Sequence, residues 1–68
     1  MNNRLGYNIQ NALTEQHVSV GELANRMGCD RSSLYRRICE PKRLKLSEVI
    51  KIGAAIGINW RDLLEGVE

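Results

Sequence analysis

Apolar residues recur along this chain at intervals of three and four, the spacing that lines one face of an α-helix. Leu5, Ile9, Ala12 and Leu13 form the first such stripe and predict a helix from about Arg4 to Gln16. Asn3 can cap it, Gly6 weakens it slightly, and His17 closes it, either stabilising the C-terminal dipole or meeting a phosphate. Val20, Leu23, Ala24 and Met27 form a second stripe. Ser19 precedes it as an N-cap, and Glu22 three residues later predicts a capping box. Gly28 follows at once and suits a backbone of positive φ, where a side chain would clash. Asp30 then reads as the N-cap of a third helix, Arg31 to about Cys39. Leu34 and Ile38 share its inner face, while Ser32 and Arg36 point away.

Pro41 crowds the residue before it and so keeps Glu40 out of the helix, leaving 41–45 as a basic loop. A fourth helix is expected over Leu46 to Ile56, with Leu46, Val49, Ile50 and Ile52 on its apolar side. Gly53 and Ala54 leave room there for another helix to approach, and Gly57 ends the element. Asn59 caps a last short helix, WRDLLEG, in which Asp62 favours the N-terminal dipole and Gly66 marks the stop. No repeat, linker or low-complexity segment interrupts this order, and strand signals are nearly absent. The expected fold class is therefore all-α: one domain over residues 1–68, a compact bundle of about five short helices with two of them joined by a sharp turn.

A chain of 68 residues buries only about 60% of the surface that its unfolded form exposes, so a narrow stability margin is expected. No apolar run approaches the roughly 20 residues that cross a bilayer, and no membrane partner is expected. The first residues, MNNRLGYNIQ, lack the apolar core of a secretory signal, which makes a cytoplasmic address the expectation.

The net charge of +2 says little until its distribution is considered. Residues 31–45 hold Arg31, Arg36, Arg37, Lys42, Arg43 and Lys45 against a single acid, Glu40. The segments on either side are each slightly acidic. All the excess positive charge therefore sits on or just after the third helix, whose outer face is basic and short-polar. Concentrated there, it is the electrostatic footprint of a surface for nucleic acid rather than an ordinary solvated face.

The remaining chemistry is sparse. Cys29 and Cys39 are the two cysteines, expected reduced and behaving as small buried apolar residues. With His17 they match no metal-ligand spacing, so neither a metal nor another cofactor is expected. There are no paired carboxylates at an obvious cleft and no nucleophile beside a base, and the one histidine has no partner. The pattern argues against an enzyme.

Ala24, Gly28 and Leu34, with Leu23 and Met27 at the apolar positions before the turn, carry a resemblance. So does the tail KIGAAIGINWRDLLEG, a helix, a glycine and a short capped helix. Over roughly residues 4–66 the chain resembles the Cro/repressor (Xre) family of helix-turn-helix proteins, with a lambda-repressor-like fold. The resemblance implies a sequence-specific, double-stranded DNA-binding transcriptional regulator, a small phage or bacterial repressor. It would place the helix 31–39 in the major groove, and a homodimer would meet a palindromic operator.

Carried over by position, Arg31, Ser32 and Arg36 fall where the family reads base edges, flanked by Ser33 and Tyr35. Tyr35 either touches a thymine methyl or sugar, or covers the edge of the core. Ser19, Lys42, Arg43 and Lys45 fall where phosphates are held. Arg37 departs from the pattern, which has an apolar residue there. Either the helix end is rotated, or Arg37 lays its stem over the core and sends its guanidinium outward, toward a phosphate. A dimer surface would come from the last helix, with Trp60, Leu63, Leu64 and Val67 as candidates, the first two weighted toward core packing. The alternative is an antitoxin or other protein-interaction module on the same fold. A basic, short-polar helix face favours DNA over that reading.

Overall fold

The computed structural model describes residues 4–40 and 44–67, so Asn3, Pro41, Lys42 and Arg43 lie outside the described residues. Five helices run in the order α1 (Arg4–Glu15), α2 (Val20–Met27), α3 (Arg31–Cys39), α4 (Leu46–Ile56) and α5 (Trp60–Leu63). All five expected elements are present. The last is shorter than WRDLLEG, because residues 64–66 continue as turns up to Gly66 at φ 78°.

Local chemistry explains the boundaries. The Ser19 hydroxyl accepts from the Glu22 N–H at 3.0 Å, and the Asp30 carboxylate from the Ser33 N–H at 3.2 Å. Asn59 Oδ1 accepts from the Arg61 N–H at 3.0 Å. Each satisfies a backbone donor that the first turn of a helix leaves unpaired. The expected Ser19–Glu22 capping box forms only by half. The Glu22 carboxylate instead pairs with Arg26 one turn on, a contact that draws it away from the helix start. The opposite half occurs at α4, where the Lys45 N–H donates to Glu48 Oε1 at 3.3 Å while the lysine side chain, having no acceptor, cannot return the bond.

At the other ends, α1 and α2 close in the same way. The Val18 N–H reaches back to the Leu13 carbonyl at 2.9 Å and that of Cys29 to Ala24 at 3.0 Å, around a left-handed residue. That residue is Gly28 after α2 but His17 after α1, at φ 56°. A histidine here carries the Cβ strain that glycine avoids.

The core joins all five helices. Ile9, Leu23, Leu34, Ile38, Val49, Ile52 and Leu63 are its most deeply buried side chains. The four residues of the first apolar stripe are buried too. Two expectations for α4 need correction. Leu46 and Ile50 do not face the core but stand 54% and 40% exposed. The buried face is Val49, Ile52, Gly53 and Ile56, because α4 is rotated to bring Gly53 onto the α5 backbone. A Cβ at Gly53 would lie 3.0 Å from Trp60 Cα and 3.1 Å from the Ile58 carbonyl oxygen. Leu63 is core, as weighted, and Trp60, Leu64 and Val67 are half-buried against it. Cys29 is half-buried, whereas Cys39 is exposed, contrary to its expected burial, because it falls on the outer face of α3 one turn after Tyr35 while its neighbour Ile38 takes the inner face. The Asn8 amide ties α1 to the chain's end through the carbonyls of Leu63 (3.0 Å) and Glu65 (2.8 Å).

Candidate nucleic-acid interface

Helices α2 and α3 pack on each other, while α1 braces α3 and α4 braces α2. Leu34 and Ile38 are driven fully into this frame, which fixes the rotation of α3 about its axis. The opposite face is then determined. Arg31, Ser32, Ser33, Tyr35 and Arg36 are all exposed. Arg31, Ser32, Tyr35, Arg36 and Cys39 line one shallow open depression of about 450 Å³ on that face. Ile38 is fully buried beside Leu34, on the inner face that the spacing predicts. Arg37 turns outward and gives its Nη1 to Glu48 Oε2 at 2.6 Å. Glu48 thus links α3 to the start of α4 through both oxygens.

The arginines divide sharply by what engages them. Arg26 is held by Glu22 and the Ala55 carbonyl, and Arg37 by Glu48. Arg4 bonds the Glu65 carbonyl and lies over the Tyr7 ring, and Arg61 lies over Trp60. Among the described residues, no hydrogen bond or ion pair engages the guanidinium groups of Arg31 and Arg36. Both stand on the exposed face of α3.

Tyr35 sits between them in sequence, 53% exposed, so it does not cover the core. A side-chain hydrogen bond with Cys39, one turn along, raises its phenol above the ordinary value, with a Coulombic contribution from the same thiol. Tyr35 therefore presents a neutral hydroxyl at physiological pH. Ser19 is exposed at the α2 start, and Lys45 is exposed where α4 begins.

These features describe a short helix, locked on one face and cationic on the other, with a capped helix packed behind it. A family model described as a Cro/C1-type HTH DNA-binding domain matches residues 8–68, nearly the whole chain. The chain belongs to that family. No curated protein and no solved structure gives a significant match. The matched residues take in most of α1 and all of α2 to α5. No described helix is long and apolar enough to cross a membrane, and no described cluster of His, Cys, Asp or Glu could hold a metal ion.

Two residues of this region were not legible in advance. Glu48 was missed, although its position three residues after Lys45 is a capping-box spacing that could have drawn attention to it. Gly21 was missed too. The Arg31 side chain lies beside it, with Cδ 3.5 Å and Nε 3.8 Å from where a Cβ would be, so a long side chain there would displace it.

Proposed function

We propose that this protein is a sequence-specific transcriptional regulator, a small repressor, that lays α3 in the major groove of double-stranded DNA. The observation carrying this reading is the pair of unengaged guanidinium groups on the one face of α3 that the core leaves open. A helix is about 10–12 Å across and the major groove about 12 Å wide, so α3 fits with its outer face toward the base edges. The nine residues of α3 span about 13 Å, the length of about four base pairs. Arg36 can donate two bonds to guanine, Ser32 can donate or accept, and Ser33 and Tyr35 flank them. Ser19, Lys45, Lys42 and Arg43 are assigned to phosphates, which position the protein without reading sequence.

Four base pairs are too few for a unique operator, which supports a homodimer on a palindrome. Half-sites one turn apart lie about 34–36 Å from centre to centre, and the body measures 29 × 21 × 20 Å. Two copies so placed meet only along an edge. Leu46 and Ile50, one turn apart on α4, are the exposed aliphatic pair available for that edge, while Leu64 and Val67 are already half-committed to the core. Two side chains fall far short of the roughly 800 Å² per partner of a stable interface, so pairing should depend on DNA.

Selection from random duplex DNA at near-physiological salt tests the reading. An enriched palindrome with half-sites about one turn apart supports it. Weak, salt-sensitive retention with no motif would show the basic face to be non-specific, and a partner protein would then be the better reading.

A further inference from the structure

We infer that Arg31 holds the DNA backbone rather than reading a base, and that the absence of a long side chain at Gly21 lets it lie there. The inference rests on the DNA-binding reading above and divides the two unengaged arginines of α3 between different tasks.

Arg31 is the first residue of α3, directly after the Asp30 cap. Its side chain borders the same outer depression as Arg36, but its far end leans toward α2. The point that a Gly21 Cβ would occupy lies 3.5 Å from Arg31 Cδ, 3.8 Å from its Nε and 3.9 Å from Ser19 Oγ. Arg31 and Ser19 therefore converge on the same small opening, which has room for a methyl group at position 21 but not for a long side chain.

Groove geometry then assigns the role. A helix that fills a groove about 12 Å wide leaves no room beside it for a second helix. The neighbouring α2 must ride over the groove wall, which is sugar and phosphate. A guanidinium laid toward α2 meets that wall, and one on the outer row meets the floor. Arg31 is of the first kind and Arg36 of the second.

The test compares wild-type protein with Arg31→Ala, Arg31→Lys, Gly21→Ala, Gly21→Leu and the Gly21→Leu/Arg31→Ala double variant. Affinity is measured on the selected site, on its single-base variants and across salt. Arg31→Ala should lose the same several-fold affinity on every sequence, with a log–log salt slope shallower by about 0.9. Arg31→Lys should restore most of that loss and leave the base preferences intact, since a point charge serves a phosphate but cannot make the bidentate guanine contact.

At 3.5 Å a methyl group meets Arg31 in ordinary contact, so Gly21→Ala should bind like wild type. Gly21→Leu fills the space and should behave like Arg31→Ala, with no further loss when the two are combined. Thermal unfolding of each variant confirms that the fold is retained, and leucine is the better helix former. A change of base preference at one position in Arg31→Ala or Arg31→Lys would overturn the inference, as would additive losses in the double variant. Wild-type protein that binds no duplex would overturn the DNA reading itself, a failure visible before any variant is compared.

Discussion

Alanine in place of glycine should have opposite effects at two positions of this fold, and the structure gives the sign of each. At Gly53 the added Cβ would meet Trp60 Cα at 3.0 Å, Trp60 Cβ at 3.1 Å and the Ile58 carbonyl oxygen at 3.1 Å. Two of these three atoms belong to backbone. The turn that carries them is tied back by the Ile58 N–H to the Gly53 carbonyl at 2.9 Å, so it has little freedom to retreat. Alanine gains about 1 kcal/mol of helix propensity over glycine. Overpacking of this kind costs about 1–3 kcal/mol, toward the upper end where backbone must move. The net loss should be about 1–2 kcal/mol. In a domain this small each kcal/mol moves the midpoint by about 4–8 °C, so Gly53→Ala should melt roughly 5–15 °C lower. Gly21→Ala has only ordinary contact at 3.5 Å and keeps the propensity gain, about 0.5 kcal/mol at a first-turn position, so its midpoint should rise slightly. Thermal unfolding followed by helical circular dichroism, with urea unfolding to obtain free energies, measures both. If Gly53→Ala stabilised the protein as much as Gly21→Ala does, the close packing of α4 on the α5 backbone would be refuted.

Other substitutions test separate joints. His17→Gly relieves a side chain held at φ 56° and should add about 0.5–1 kcal/mol of stability, seen as a raised urea midpoint with unchanged slope. Asp30→Ala removes the cap of α3 and should cost about 1 kcal/mol while weakening DNA binding; full affinity in that variant would show that the cap does not position the helix. Glu48→Ala removes one carboxylate that serves both Arg37 and the Lys45 N–H. It should cost more than Arg37→Ala, whose half-exposed ion pair contributes at most about 1 kcal/mol. Lys42→Ala and Arg43→Ala should weaken binding to all sequences alike and flatten the salt dependence by about one phosphate contact each.

The helices were legible because their signals are local. Ser19, Asp30 and Asn59 are side chains that cap within three residues of themselves, and the stripes of α1, α2 and α3 admit one inner face each. Helix α4 was different. Leu46, Val49, Ile50, Ile52, Gly53 and Ile56 offer two overlapping apolar faces, and only the docking of Gly53 on Trp60 chooses between them. Arg37 was ambiguous for the same reason, because its partner Glu48 stands eleven residues away across a loop. His17 hid a left-handed position behind a residue that rarely takes it, although Leu13 and Val18 form the apolar pair that accompanies such a turn. In the interface, the exposed set on α3 follows from burying Leu34 and Ile38. The direction taken by the Arg31 side chain does not, because it depends on a space in a neighbouring helix.

The central claim is that the outer face of α3 reads bases, and Arg36 tests it most directly. Dissociation constants of wild-type and Arg36→Ala protein should be measured on the selected operator and on every single-base variant of one half-site. The account predicts that wild type discriminates at each read position and that Arg36→Ala loses about 1–3 kcal/mol of discrimination, 5- to 150-fold or so, at one or two positions only. An equal fall in affinity on good and bad sites alike would contradict it, reducing Arg36 to one more phosphate contact.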